Sequence, residues 1–155
     1  MIKNLKGYTS IKKSFILNKG HGGYLLVFLV IFMDIRHQQR IRIVQELYAH
    51  SFFPHQSIEK LHPKTQATLK KIKELNTTIE KFTPKFPLQK IARTDLAILQ
   101  LAVYELIIEK KEPAKVIINE AVELAKELGG EKSYAFINAV LGKIYASILR
   151  FRNKN

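Results

Sequence analysis

The sequence predicts an all-α fold, a bundle of about five helices. Three observations carry this. From Asp34 onward the apolar residues of every long segment recur at helical spacing, prolines and the Gly129-Gly130 pair punctuate those segments, and no stretch shows a convincing strand pattern or tandem repeat. At 155 residues the chain fits one ordinary domain, long enough to bury a core without staples. It has no cysteine, which excludes a disulfide scaffold, thiol catalysis and cysteine zinc sites and fits a reducing compartment.

The first helix is expected from Asp34, a candidate N-cap, to about Phe52, with Ile41, Val44, Leu47, Tyr48 and Ser51 or Phe52 at helical spacing. Pro54 ends it. Pro63 opens a second helix over about Lys64–Phe82, with Leu69, Ile72, Leu75, Ile79 and Phe82 inward and Lys70, Lys71, Lys73 and Lys81 outward. Thr83-Pro-Lys-Phe-Pro87 is a rigid connector, because each proline disfavours helix in the residue before it. Leu88 to about Lys110 is a third helical segment, breakable near Arg93, where Thr94 or Asp95 could cap the run Leu96–Ile108. That run is apolar nearly all round, the mark of a central buried helix. Pro113 suits the first turn of the next helix, whose inner stripe is Val116, Ile117, Ala121, Leu124, Ala125 and Leu128, and Gly129-Gly130 would end it through a left-handed cap. Ser133 can cap the last helix, with Phe136, Ile137, Val140, Leu141, Ile144 and Ile148 inward. A basic tail, residues 151–155, is expected to fray.

The net charge is +13, from 26 Lys/Arg against 13 Asp/Glu. Such a surplus favours a polyanion such as nucleic acid, or an acidic membrane surface. Residues 1–32 form a separate extension with five lysines and no acid, ending in the apolar run Tyr24–Phe32. The run is too short to span a bilayer unaided, and no small-x-small cleavage site follows it. Three readings stand: translation upstream of a true start at Met33, a weak membrane or partner anchor, or an extra core segment. The helical domain proper is read as residues 33–150.

Little in the chain speaks for catalysis. The five histidines include no His-x-x-x-His pair; His50, His55 and His62 lie near one loop and could meet a metal, but solvated loop histidines are the simpler reading. No glycine-rich phosphate loop or nucleophile elbow is present. Glu120, Glu123 and Glu127 form a row expected to be solvated, or else to face a basic partner. Neither cofactor nor metal is expected.

Arg36-His-Gln-Gln-Arg40-Ile-Arg42 is the sharpest functional feature of the first half. Arg36 and Arg40 are four apart and share a face, read as turned away from the Ile41/Val44/Tyr48 side. Guanidinium groups there can fork to phosphate or stack on bases, and His37, Gln38 and Gln39 offer hydrogen bonds to unpaired base edges. An ordinary charged helix start is the alternative, although arginine so near a helix N-terminus is mildly unfavourable with the dipole.

Ile118-Asn-Glu-Ala-Val-Glu-Leu-Ala-Lys126 and Phe136-Ile-Asn-Ala-Val-Leu-Gly142 closely resemble the C-terminal signature of the NusB family of transcription antitermination factors. Ile91-Ala-Arg-Thr-Asp-Leu-Ala-Ile-Leu-Gln-Leu-Ala-Val-Tyr-Glu-Leu106 resembles the family's central helix, and Arg36–Tyr48 its arginine-rich first helix. Residues 53–87 match only in being helical, and residues 1–32 match nothing in the family. The resemblance implies a NusB-like bundle of five to seven helices in two small subdomains. It implies a cytoplasmic, non-enzymatic protein binding a single-stranded boxA-type RNA jointly with a small-subunit ribosomal protein, NusE. That complex helps RNA polymerase read through terminators, notably in ribosomal RNA operons.

Carried over by position, Arg36, His37, Arg40 and Arg42 match the basic RNA-binding segment, and Lys132 could add charge near the RNA. Phe136 matches a phenylalanine near the RNA, with a purely core role as its alternative. Tyr48 matches a tyrosine that meets the ribosomal partner, or is core, and Asp95 an acidic position near the partner surface. Asn119 and Asn138 are read as structural. His37 and Gln38 stand where the family often has arginines, and Lys132 where an acid is common, so the RNA preference could differ. Two rivals remain: an accessory domain related to ribosomal-RNA cytosine methyltransferases, and a structural helical protein anchored by Tyr24–Phe32.

Overall fold

The computed structural model describes the backbone of residues 21–153 and the side chains of residues 35–153. Among these residues there are six α-helices and no strand. They are α1 (His21–His50), α2 (Pro63–Lys70), α3 (Ile72–Phe82), α4 (Arg93–Tyr104), α5 (Ala114–Leu128) and α6 (Ser133–Arg152). A 3-10 turn, Leu88–Lys90, precedes α4, and a π turn, Glu105–Glu109, follows it directly. The chain divides into two compact units, residues 1–39 and 40–155. Of the first unit the structure describes helical backbone from His21 and the side chains from Ile35, which is half exposed. The side chains of the Tyr24–Phe32 run lie outside the described residues, and so do residues 1–20.

The second unit is built around α4. Every side chain from Ala97 to Val103 is buried, as its all-round apolar pattern requires. Helices α2, α3, α5 and α6 all pack on α4, and α5 lies along α6. Ile98, Leu99 and Val103 of α4, Ile79 of α3, Leu124 of α5 and Ile137 and Leu141 of α6 are at most 1% exposed. Burying each such side chain contributes about 1.5–3 kcal/mol relative to leaving it in water. Helix α1 adds Ile41, Ile43, Val44 and Leu47 to the same core.

Several boundaries differ from the sequence expectation. Backbone helix runs unbroken through Asp34, so this residue does not cap α1, and α1 ends at His50. The expected second helix is two, parted at Lys71, whose φ of −106° and ψ of 6° leave the helical region. His62 caps α2: its Nδ1 accepts from the Lys64 N–H at 3.1 Å, ahead of Pro63 at the first position. Neither Thr94 nor Asp95 caps α4, because the cap position belongs to Ala92, two and three residues earlier. The helix expected to run on to Lys110 widens into the π turn, closed by the Lys110 N–H on the Glu105 carbonyl at 2.9 Å with Lys110 left-handed at φ 53°. Helix persists to Arg152, where a frayed tail was expected.

The α5–α6 corner corrects two further expectations. No glycine among the described residues has positive φ; Gly129 is extended, at φ −91° and ψ −174°. Its small size is needed because a Cβ there would lie 2.6 Å from the Ala125 carbonyl oxygen and 2.6 Å from the Ser133 Cβ. Ser133 opens α6 without capping its own N-terminus, and its Oγ accepts from the Gly130 N–H at 2.8 Å.

Candidate nucleic-acid interface

The arginine-rich stretch of α1 divides by helical phase. Arg40 stands three, four and seven residues before Ile43, Val44 and Leu47, so it shares their buried face. Only 6% of Arg40 is exposed. Its Nε donates to both Glu105 oxygens at 3.2 and 3.1 Å, Nη2 to Glu112 at 2.6 Å, and Nη1 is 3.5 Å from Glu120. Lys64 of α2 joins the cluster, with Nζ 2.8 Å from Glu105 and 2.9 Å from Glu109. Burial alone would lower the affinity of Arg40 and Lys64 for their protons, but the surrounding carboxylates outweigh it, and both are held above their ordinary values. The expectation that Arg40 offers its guanidinium to RNA is therefore corrected: the group is committed to carboxylates from three places along the chain. Glu120 is corrected with it, since it turns toward Arg40 and leaves the solvated row, whereas Glu123 pairs outside with Lys126 at 2.7 Å.

Arg42, two residues on, faces outward and is 62% exposed at its side chain. Its Nε donates to Glu46 Oε1 at 2.9 Å, one helical turn along. Glu46 Oε2 accepts from the His62 N–H at 2.9 Å and from the Thr65 hydroxyl at 2.5 Å, tying α1 to the start of α2. Burial works to raise the Glu46 carboxyl, but the Thr65, His62 and Arg42 donors prevail and hold it below its ordinary value. A lowered folded-state value means that this contribution is present above the unfolded value and is lost as pH falls through the folded one. Glu46→Gln is expected to cost about 1–3 kcal/mol at neutral pH. It should flatten the fall of stability with acid, as urea melts between pH 3 and 7 would report; an unchanged acid limb would dismiss the linkage. Arg36 and His37, in the first unit, are half-buried and already engaged with neighbouring groups.

Phe136 lies on α6 one turn beyond the exposed Lys132 and is half-buried. Its ring meets that of Phe86 edge-on, with centroids 5.8 Å apart and planes at 75°. Phe86 is half exposed, held by the connector between Pro84 and Pro87, with Lys85 exposed beside it. The ring pair is thus flanked along the chain by two exposed lysines, Lys85 next to Phe86 and Lys132 one turn before Phe136, a composition suited to unpaired bases and their phosphates. The sequence reading took residues 83–87 only as a spacer and missed Phe86; an aromatic fixed between two prolines was the available signal.

A second aromatic cluster closes the other end of α1. Tyr48, 40% exposed, packs edge-on against Phe52 at 5.1 Å. The Arg93 guanidinium lies 4.1 Å above the Phe52 ring and donates to the Ser51 carbonyl at 3.0 Å. Asp95, two residues beyond Arg93, is 7% exposed in the first turn of α4, where a carboxylate suits the helix dipole. Its Oδ1 is the one buried side-chain oxygen or nitrogen among the described residues without a hydrogen-bond partner. Among the described residues no group of His, Asp or Glu is placed to hold a metal ion, and no helix is long and apolar enough to cross a membrane.

Residues 29–146 match the model of the NusB family. The chain belongs to that family. Transcription antitermination protein NusB of Roseiflexus castenholzii is 34% identical over 141 residues, covering 79% of this chain and 97% of that protein. NusB of Acetivibrio thermocellus is 48% identical over 79 residues, 51% of this chain and 54% of that protein. The chain thus spans about half the length of the first curated relatives it matches, the Clostridium tetani NusB among them. Among solved structures, T. maritima NusB superposes with a TM-score of 0.61 at 29% identity, over 70% of this chain and 89% of that one. NusB membership agrees with the helical architecture and with the motifs on α4, α5 and α6. The family match begins at residue 29, four residues before Met33.

Proposed function

We propose that this chain is a transcription antitermination factor that binds a single-stranded boxA-type RNA together with the small-subunit ribosomal protein NusE, promoting read-through by RNA polymerase in ribosomal RNA operons. Membership of the NusB family supports the class of activity. The observation that carries the RNA assignment on this chain is the Phe86–Phe136 pair, with the exposed Lys85 and Lys132 as its neighbours along the chain, set in a protein of net charge +13. Phe136 and Phe86 stack unpaired bases, while Lys132 and Lys85 draw in the phosphates; in the first unit, Arg36 and His37 are separate contacts to the RNA. The exposed Tyr48–Phe52–Arg93 cluster is the surface for the ribosomal partner, and the buried Asp95, two residues beyond Arg93, belongs to that surface's helix. It acts in the cytoplasm as a binding protein, with no reaction of its own.

Binding of a boxA-type single strand to the full chain, with and without the ribosomal protein and beside a scrambled strand, tests the assignment. The boxA-type strand should bind tighter, and tighter still with the partner. Its log affinity should fall with log salt at about −0.7 per phosphate neutralised. Equal, partner-indifferent affinity for both strands would reject it.

A further inference from the structure

We propose that the groove between the outer face of α1 and the loop that follows it is a subsite for one unpaired nucleobase, read by Arg42, Gln45 and Gln56. The inference rests on the RNA reading above and assigns it a base-reading position. The groove has a volume of about 240 Å³, and its walls include Arg42, Gln45, Glu46, His50, Gln56 and Ser57.

Three features select a base over other ligands. First, the walls are rich in uncommitted hydrogen-bonding groups: among the described residues the side chains of Gln45, His50 and Gln56 make no hydrogen bond to the protein. Amides carry a donor and an acceptor side by side, the arrangement that meets a base edge. Second, Arg42 is pre-set. Its Nε rests on Glu46 at 2.9 Å, and Glu46 is itself fixed by His62 and Thr65, so the two terminal nitrogens of the fork stay available in one orientation. Third, the Arg42 and Glu46 charges offset each other inside the groove. A phosphate gains little there, whereas a neutral planar ring with polar edges gains hydrogen bonds without meeting an uncompensated charge. A neighbouring groove of about 470 Å³ shares Gln56 and presents Phe52, Phe53 and His55. Phe53 is 65% exposed, and its ring can stack the adjacent base of the same strand, whereas the Phe52 ring is engaged by Tyr48 and Arg93.

The test uses the full chain and a set of short uridine-rich single strands carrying A, C, G or U at one position. The wild type should prefer one base by roughly tenfold or more, the discrimination expected of a bidentate contact. Gln45→Ala with Gln56→Ala, and Arg42→Lys separately, should abolish the preference while leaving the salt slope and the melting temperature in place. These side chains are exposed, so folding is retained. A preference that survives both variants overturns the subsite while RNA binding itself stands. Uniform weakening with a shallower salt slope makes Arg42 a phosphate contact and overturns base reading. Variants that lose the ribosomal protein and keep their base preference make the groove a protein-docking surface and overturn it too. A wild type that binds no single strand rejects the proposed function first, and the subsite with it.

Discussion

Arg40→Ala is expected to lose about 3–5 kcal/mol of folding stability, the cost of removing one partner from a buried ion pair. The reason lies in what stays behind. Glu105 is 3% exposed at its side chain, and Glu112 and Glu120 are 19% and 18% exposed. Lys64 alone would remain to balance Glu105 while also serving Glu109. Arg40→Lys should fall between the two, because one ammonium keeps the charge but cannot span the three carboxylates that the guanidinium fork reaches. Adding Glu105→Gln to Arg40→Ala should recover part of the loss, a coupling that a double-mutant cycle in urea would measure. Simple additivity would show that the cluster is not one unit. Arg40→Ala would also weaken RNA binding through loss of the fold, so reduced affinity in that variant is no evidence that Arg40 touches RNA. Arg40→Lys, still folded, should keep the wild-type salt slope.

Gly129→Ala is the second large effect expected. The backbone there is extended and open to any residue, so the cost is steric. The new Cβ would lie 2.6 Å from a helical carbonyl oxygen and 2.7 Å from the Ser133 Oγ that accepts the Gly130 N–H. Relief requires α5 and α6 to part at this corner, at about 1–3 kcal/mol. A chain of this size should then melt about 2–4 °C lower for each kcal/mol lost. Gly130→Ala is the control: its Cβ would meet only the Ser133 Oγ, at 3.7 Å, and stability should hardly change. Equal melting temperatures for the two variants would contradict the steric account.

These two residues show how far the sequence could be read. The core helices were legible because their pattern is local: the all-round apolar run of α4 and the stripes of α5 and α6 predict Ile98, Leu99, Leu124, Ile137 and Leu141 inward, where they are found. Arg40 was misread by choosing the wrong phase. The expected stripe of Ile41, Val44, Leu47 and Tyr48 shares its first three residues with the buried face, but that face also takes in Ile43 and Arg40 and leaves Tyr48 outside. Its acidic partners stand 65 to 80 residues further on, beyond any local periodicity, so nothing near Arg40 announced them. Glycine at 129 was correctly read as ending α5, but its function is close approach, which only the position of Ser133 reveals. The break at Lys71 and the π turn at Glu105 carry no glycine or proline, and helical spacing continues through both. In the candidate interface, Phe136 was singled out from the family motif and Lys132 as a departure from it. Phe86 was not, because the edge-on contact joins a connector to a helix 50 residues away.

The central claim is that unpaired bases stack on the Phe86–Phe136 pair. The most direct measurement is the affinity of the full chain for a boxA-type single strand beside Phe86→Ala, with Phe136→Leu as a second variant that preserves apolar packing. Base–aromatic stacking contributes about 1–3 kcal/mol per base, so Phe86→Ala should weaken binding roughly tenfold or more with an unchanged salt slope. Wild-type affinity in both variants would contradict the claim and move the RNA to another face.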